Sequence, residues 1–190
     1  PLYSARGITL EGPVSYTYYI HKEESSPTPH PDVPINEENF PDASFRSYVR
    51  QFDTNHDNVL SSNELNYVEQ IDVINRGIQS MQGIENFPEL KHLACNLNAI
   101  TSLDVSNNTK LRSLICHGNQ ITGLDLSHNS LLEYLGAEDN QISKLDLSKN
   151  NYLIGAYLNK NPLNTLNLGV QAYLTELNLA NTYLADIDLS

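Results

Sequence analysis

The sequence is short of several residue types, and each shortage argues against a class of protein. Its 190 residues contain 11 Lys and Arg against 23 Asp and Glu, which gives a formal net charge of −12. Binding to nucleic acid or to an anionic membrane surface needs Lys and Arg, so the charge argues against both partners. Two cysteines and no tryptophan provide no disulfide framework. No apolar run approaches the length of a membrane span.

Catalytic and targeting motifs are also missing. The six His are scattered, and no nucleophile, base and orienting acid share a recognisable motif, so we expect no enzyme activity. No signal peptide is visible at Pro1, which predicts a mature or trimmed chain or a fragment.

What the sequence has in abundance is leucine at regular intervals. From Leu90 to Ser190 a unit of 21 residues recurs without insertion or deletion. The units begin at Leu90, Leu111, Leu132, Leu153 and Leu174. A fixed period of this size indicates a solenoid, because one unit buries its apolar side only against its neighbours. Alternation such as Leu114 and Cys116 predicts a short, half-buried strand in each coil, and stacking predicts a parallel sheet. We expect a second extended segment, not a helix, on the opposite side of each coil.

An asparagine recurs at one position of the unit. It is present as Asn98, Asn119, Asn140 and Asn161, and Thr182 replaces it in the last unit. A buried amide offers two donors and an acceptor to the backbone of the turn that follows each strand. The sequence therefore predicts a ladder of buried asparagines along the solenoid.

These repeats resemble the leucine-rich repeat family. The segments 90–108 (LKHLACNLNAITSLDVSNN) and 111–129 (LRSLICHGNQITGLDLSHN) match the 21-residue, cysteine-containing class L-x-x-L-x-C-x-x-N-x-L-T-x-L-D-(L/V)-S-x-N of internalin-like bacterial surface proteins. The resemblance implies a mainly β repeat solenoid, wound as a right-handed superhelix. It also implies an extracellular or cell-surface module that binds other macromolecules, and it does not identify the ligand.

The outward side chains of the strands form the candidate binding surface, because exposed aromatic residues beside acidic groups are typical of recognition surfaces. We predict that a protein or glycan ligand contacts His92, Ile115, His117, Tyr134, Glu138, Tyr157, Asn159, Glu176 and Asn178. Five coils give a strip of only about 25 Å at strand spacing, which favours a small epitope. Two alternatives remain: a structural spacer without a ligand of its own, and a repeat-based inhibitor or regulator of an enzyme.

A second informative stretch, residues 35–71, precedes the repeats. Apolar residues recur at helical spacing on both sides of a polar loop, which predicts two helices. They are Phe45, Val49 and Phe52 in the first helix, with Pro41 in its first turn, and Leu65, Val68 and Ile71 in the second. We expect this helical, EF-hand-like cap to cover the apolar edge of the first coil, because solenoids need an atypical end unit.

The polar loop from Asp53 to Glu64 has the length and spacing of an EF-hand calcium loop. Its predicted ligands are Asp53, Asn55, Asp57, the carbonyl of Val59, Ser61 and Glu64. Asn58 stands where the pattern has glycine, and Asn tolerates the left-handed conformation. The alternative is a metal-free turn in which Ser61 and Glu64 form a capping box. The resemblance implies a helical, EF-hand-like N-terminal cap that generally lacks a working calcium loop, so it supports the covering of the first coil more than it supports ion binding.

The remaining segments complete the predicted organisation. Residues 1–22 are expected to form a β-hairpin or arm, with a disordered tail as the alternative. Residues 23–34 contain four prolines and read as an extended linker. Residues 72–190 form the solenoid, with one degenerate coil before the five units. We expect further chain or another molecule to cover the C-terminal edge. Self-association through this edge or through the hairpin is a further expectation.

Two groups of repeated side chains have simple explanations. Cys95 and Cys116 share one inward position, which predicts buried, reduced thiols and not a reactive pair. Aspartates recur on the opposite side of the coils at Asp104, Asp125, Asp146 and Asp188. We expect them to line a solvated face. The alternative is a cation bound along the row.

Overall fold

The computed structural model describes residues 30–185 and two short strands near the N-terminus, β1 (Leu2–Tyr3) and β2 (Thr9–Leu10). β1 and β2 pair antiparallel. The rest of the predicted N-terminal hairpin, residues 23–29 of the predicted linker, and residues 186–190 with Asp188 lie outside the described residues. None of the helices in the described part of the chain has the length and hydrophobicity of a membrane-spanning segment.

The repeats form a mainly β solenoid whose principal element is a six-stranded parallel sheet, here called the main sheet. Its strands, in spatial order, are β5 (Gln70–Asp72), β6 (His92–Ala94), β7 (Ser113–Ile115), β8 (Tyr134–Gly136), β10 (Gly155–Tyr157) and β12 (Glu176–Asn178). Leu114 pairs with Leu93 and Leu135, so partners from β6 onward lie 21 positions apart. The predicted stack of short strands is confirmed.

On the opposite side, an extended segment was predicted for every coil, and the structure has a strand there in two of them. β9 (Lys144–Asp146) and β11 (Thr165–Asn167) pair there as a second parallel ladder. No helix lies between residues 91 and 185. Two extended segments and their turns use up the 21 residues, so no room is left for a helical crossover.

Leucines and asparagines fill the interior of the coils. Leu114, Leu126 and Leu135 are fully buried. The Asn119 amide accepts a hydrogen bond from the Ile100 N–H (3.0 Å) and donates to backbone carbonyls of two successive coils. Asn98, Asn140 and Asn161 repeat this pattern. The predicted asparagine ladder is present, because each amide pairs backbone groups that a turn leaves free.

The N-terminal segment, residues 30–69, contains short helices and a two-stranded sheet. Its elements are β3 (Val33–Pro34), α1 (Ala43–Val49), a 3-10 turn (Arg50–Phe52), β4 (Val59–Leu60) and α2 (Ser62–Asn66). Asp42 caps α1 by accepting hydrogen bonds from the N–H groups of Ser44 and Phe45, so the preceding Pro41 lies outside the helix and not in its first turn.

The second predicted helix is shorter than the apolar spacing indicated. α2 ends at Asn66, and Ile71 belongs to β5, where it pairs with Leu93. Ile71 and Val73 are both fully buried, because alternate side chains of this stretch enter the core of the first coil. Stacking on the next coil therefore determines the structure of residues 70–72, and the spacing of Val68 and Ile71 was a misleading signal.

The predicted linker also ends in ordered structure. β3 pairs antiparallel with β4, and Val33 is 7% exposed. The Ile35 N–H continues the pairing by donating to the Asn58 carbonyl at 2.8 Å. Pro34 is tolerated because the ladder is only two residues long and open at its edge.

All four phenylalanines of the chain lie where the N-terminal segment packs on the first coil. Phe40, Phe45 and Phe87 are fully buried, and the Phe52 ring lies 5.8 Å from the ring of Phe87. Gly83 makes this packing feasible, since a Cβ atom there would lie 2.3 Å from the Phe40 ring. The aromatic cluster thus covers the apolar edge of the first coil.

Candidate functional site

The solvent-facing side of the main sheet, here called the main-sheet face, carries the predicted binding residues. Strand residues with outward side chains alternate with inward apolar residues, so the predicted positions lie in three rows across the strands. His92, Tyr134 and Glu176 share the first row, and Ile115, Tyr157 and Asn178 share the second. His117, Glu138 and Asn159 follow the strands and form the third, joined through backbone hydrogen bonds of the intervening turns.

Two tyrosines and two glycines form a square at the centre of this face. Tyr134 pairs across the strands with Gly155, and Tyr157 pairs with Gly136. A Cβ atom on Gly155 would lie 3.3 Å from the Tyr134 ring and 3.5 Å from the Tyr157 ring. Both rings therefore lean over the space that a side chain at position 155 would fill. Tyr134 remains 41% exposed.

Glu176 fixes one of these rings. The Tyr157 hydroxyl donates a hydrogen bond to the Glu176 carboxylate. This hydrogen bond raises the pKa of Tyr157 above its ordinary value, because the carboxylate disfavours a phenolate beside it. The ring is therefore held in one orientation before any partner arrives.

Glu138 lies over the other glycine of the square. Its Oε2 atom is 3.5 Å from the position of a Cβ on Gly136, and the Cδ1 atom of Ile115 is 3.2 Å from the same point. This oxygen is buried and has no hydrogen-bond partner. A carboxylate oxygen held against apolar atoms without a donor is unfavourable, and most buried polar atoms avoid that state.

The structure thus brings together five of the nine predicted binding residues: Ile115, Tyr134, Glu138, Tyr157 and Glu176. His92 lies on β6, two strands from Tyr134, and the side chain of Asn178 accepts a hydrogen bond from the Ala180 N–H. Sequence reasoning missed Gly136 and Gly155, which leave space for their neighbours. The available signal was a glycine at an outward strand position, which marks close approach by other groups.

The loop of residues 53–64 is organised by its own side-chain oxygens. The Asp53 carboxylate accepts from the Asp57 N–H (3.1 Å) and the Asn58 N–H (2.9 Å), and the Asn55 side chain donates to Asp57 at 2.9 Å. Asn58 has a φ of 65°, as the turn requires at this position. Val59 is in β4, and Ser61 is the N-cap of α2.

Glu64 is engaged elsewhere. One carboxylate oxygen accepts from the N–H and hydroxyl of Thr54, both at 2.7 Å, and the other accepts from the N–H and hydroxyl of Ser61 at 2.9 and 2.8 Å. Burial alone would raise the pKa of Glu64, but these hydrogen bonds outweigh it and lower the pKa to about 2. The capping box predicted as the alternative is present.

Donor chemistry at the loop fits a calcium ion only in part. The oxygens of Asp53, Asn55 and Asp57 lie in one short turn and are of the hard type that calcium prefers. In this arrangement both carboxylate oxygens of Glu64 accept hydrogen bonds from protein donors and not from an ion. Among the residues that the structure describes, no three Asp, Glu, His or Cys side chains converge as a metal-binding group.

The repeated cysteines and aspartates have structural roles. Cys95 and Cys116 are buried and free, and burial raises the pKa of Cys95 to about 12. The carboxylates of Asp104, Asp125 and Asp146 each accept from the backbone N–H two residues later, at 2.8–2.9 Å. Hydrogen bonds from the following serines lower the pKa of all three carboxyl groups, so each aspartate fixes a turn of its own coil.

Comparison with known proteins gives a fold and a partial sequence likeness. No protein-family model matches the chain. Internalin J of Listeria monocytogenes is 38% identical over 71 residues, which cover 37% of this chain and 8% of that protein.

Solved structures share the fold over most of the chain. The functional domain of InlJ from Listeria monocytogenes, which includes a cysteine ladder, has a TM-score of 0.59 at 24% identity, covering 86% of this chain and 46% of that one. An internalin (inlF) from the same species has a TM-score of 0.67 at 24% identity, covering 85% and 48%. YopM from Yersinia enterocolitica has a TM-score of 0.55 at 25% identity, covering 74% and 28%. The chain spans less than half of these proteins, and its fold is that of an internalin-like leucine-rich-repeat solenoid.

Proposed function

We propose that this chain is an extracellular, protein-binding module of a bacterial surface or secreted protein, and that the main-sheet face is its recognition surface. The proposed class is the 21-residue, cysteine-containing repeat of internalin-like proteins, and the proposed activity is binding without catalysis. The sequence similarity to internalin J supports the proposed extracellular location on a bacterial surface or secreted protein. The observation that carries the proposal is the pair Tyr134 and Tyr157, presented over Gly155 on a rigid sheet.

These two rings have the properties of an interface anchor. Tyrosines supply large contact area for little loss of side-chain entropy, and anchors in well-packed centres carry most of the binding energy. The parallel ladder fixes the backbone under both rings, and the hydrogen bond from Tyr157 to Glu176 fixes one ring further. A partner that binds this surface therefore loses little free energy to the ordering of these side chains.

The test uses a second tyrosine pair of the same chain as a matched control. Tyr152 and Tyr173 are 52% and 57% exposed and stack at 6.0 Å, but they lie outside the strands of the main sheet. A photoreactive amino acid at Ser113, next to Tyr134, is used to crosslink partners from a panel of purified extracellular proteins. We expect Tyr134→Ala with Tyr157→Ala to weaken the captured complex at least tenfold, and Tyr152→Ala with Tyr173→Ala to leave it within twofold.

The alternative function is a structural spacer. The contact of Tyr157 with Glu176 favours it in one respect, because this contact also stabilises the sheet internally. A spacer gives no specific crosslink from Ser113. A partner whose affinity is the same for both tyrosine double variants would contradict recognition by the main-sheet face.

For the loop of residues 53–64 we propose a calcium-stabilised, EF-hand-like cap. Asp53, Asn55, Asp57 and the Val59 carbonyl would hold the ion, Ser61 would contribute through water, and Glu64 would join after leaving Thr54 and Ser61. The ion would supply charge neutralisation to the two aspartates. What supports the proposal is the close packing of Asp53, Asn55 and Asp57 in one turn.

Calorimetric unfolding in chelator, magnesium and calcium tests this proposal. At one hundred times the dissociation constant, calcium should add about 2.7 kcal/mol to the free energy of unfolding. Asp57→Asn should remove this gain, whereas Asp32→Asn, which lies outside the loop, should keep it. An unchanged melting temperature in calcium would show that the loop is a metal-free turn held by Glu64.

A further inference from the structure

We infer that the centre of the main-sheet face is a receptor for an arginine side chain of a protein partner, with Glu138 as its counter-ion. The inference rests on the proposed recognition function and specifies the chemistry of the partner. Its site consists of Tyr134 and Tyr157, the two glycines that they flank, Ile115 and Glu138.

The first observation is a carboxylate that lacks a donor. The Oε2 atom of Glu138 is buried without a hydrogen bond, next to Gly136 and Ile115. The residue as a whole is only partly buried, so its carboxylate group lies within reach of a donor from outside. A cationic donor from outside would satisfy the oxygen, and a charge-assisted hydrogen bond is the strongest that this group forms.

The charge distribution over the face points to a cation as well. The outward positions of the six strands of the main sheet contain Asp72 and Glu176, with Glu138 two residues after β8, and contain neither Lys nor Arg. At the margin of the face, Lys91 is paired with Glu69 and Arg112 is paired with Glu133. Each of these two positive charges is neutralised by its acidic partner. The face therefore presents negative potential to a partner.

The aromatic rings select arginine over lysine. The Tyr134 and Tyr157 rings lean over Gly155. Gly136 is the opposite corner of the square, and Glu138 lies against it. A guanidinium group is planar, stacks on aromatic faces and donates two parallel hydrogen bonds to a carboxylate. An ammonium group is a strongly hydrated point charge without this planar fit. The rings fill the space above Gly155, and Ile115 and Glu138 fill the space above Gly136, so the flat group would stack on the solvent side of the rings.

The experiment titrates three blocked peptides, Gly-Gly-X-Gly-Gly with X as arginine, lysine or citrulline, into the 15N-labelled chain and follows the backbone amide signals. Citrulline has the shape of arginine without its charge. We expect the arginine peptide to shift the amides of Gly136 and Tyr157 with a dissociation constant on the order of millimolar. Binding should be at least fivefold weaker for lysine and undetectable for citrulline.

Two variants with the same change of charge provide the control. Glu138→Gln should weaken the arginine peptide at least fivefold. Asp139→Asn should leave it within twofold, because Asp139 is exposed and its φ of 57° suits asparagine. Equal binding of arginine and citrulline, or equal binding to wild type and Glu138→Gln, would overturn the inference.

The outcomes separate this inference from the recognition function. If a captured protein partner loses affinity with Tyr134→Ala but not with Glu138→Gln, recognition by the face stands and the arginine receptor is wrong. If the arginine peptide binds at Glu138 while the tyrosine variants leave partner capture unchanged, the site binds a guanidinium group, but recognition of a protein partner by the face is wrong.

Discussion

The contact between the N-terminal segment and the first coil is built from side chains that occur once, whereas the coils that follow are built from side chains that occur in every unit. Phe40, Phe45, Phe52 and Phe87 form a single aromatic cluster at the first boundary. Two hydrogen bonds reinforce it: the Tyr48 hydroxyl accepts from the Asp72 N–H at 2.9 Å, and Asp42 accepts from the Gln79 N–H at 2.8 Å.

Between coils, an inward leucine and an asparagine amide recur at most steps, with Ala156 and Thr182 as the exceptions. A repeat can lose one such contact and keep the others, because each coil interacts mainly with its neighbours. The aromatic boundary has no second copy. We therefore expect the solenoid to be most sensitive to substitutions at its first interface, where no repeated contact compensates for a lost one.

The largest expected effect comes from breaking that interface. Phe87→Ala should lower the free energy of unfolding by about 3–5 kcal/mol, because it removes a fully buried ring that contacts two other phenylalanines. Urea denaturation followed by circular dichroism measures the loss. Tyr67→Ala, at a side chain that is 86% exposed, is the control and should change little. Similar unfolding midpoints for the two variants would show that the boundary adds no stability.

A smaller effect distinguishes two ladders within the repeats. Asn119 pairs both ends of its amide, whereas Asn129 donates to the Val105 and Asn108 carbonyls and leaves its own oxygen buried and unpaired. Removing the Asn119 side chain leaves one more buried backbone group, the Ile100 N–H, without a hydrogen-bond partner. Asn119→Ala should therefore cost about 1–3 kcal/mol, and Asn129→Ala about 1 kcal/mol less. Chemical denaturation of both variants checks the order, and the reverse order would contradict the hydrogen-bond assignment.

Glu64→Gln should cost about 1–2 kcal/mol at pH 7 without calcium, since an amide cannot accept all four hydrogen bonds of the carboxylate. The folded pKa of Glu64, about 2, lies below its ordinary value of 4.5. Its stabilisation is therefore fully present above pH 4.5 and is lost as pH falls through 2. Denaturation of both proteins between pH 7 and 2 should show the difference shrinking with acid. A constant difference would argue that Glu64 acts without its charge.

The smallest effect is expected at the thiols. Cys95 and Cys116 should stay reduced and unlabelled by a thiol reagent in the native chain, because burial raises the pKa of both. Labelling should begin only when the coils unfold. Mass spectrometry after a short exposure to the reagent measures this, with urea-unfolded protein as the positive control. Fast native labelling would mean that the coils open locally.

The difference between the two regions also explains what the sequence could predict. Period and alternation predicted the main sheet, its partner segments and the buried asparagines, because every coil repeats the same physical constraint. The N-terminal segment contains no repeat, so each of its sequence signals occurs once and cannot be checked against an equivalent unit. There, the spacing of Val68 and Ile71 fitted a helix, and the prolines before Ile35 fitted a linker, yet long-range strand pairing determined the structure of residues 70–72 and of residues 33–34.

At the main-sheet face, alternation predicted which side chains face outward and could not predict how they lean. The Tyr134 and Tyr157 rings occupy space that Gly155 leaves open, and Ile115 and Glu138 occupy space that Gly136 leaves open. Such a vacancy is a property of neighbouring coils and not of either segment alone. Likewise, the carboxylate of Glu64 suits both a metal ion and a helix cap, and only its four hydrogen bonds show the second role.

The register of 21 residues between paired strands has a mechanical consequence. Strands of the main sheet lie side by side in chain order, so a tensile load along the chain would peel one strand at a time and not shear all of them together. Each coil that detaches would release 21 residues, or about 70 Å of extended chain. Under flow or traction the solenoid would therefore lengthen in steps of one coil, and the coils that remain would keep their folded structure.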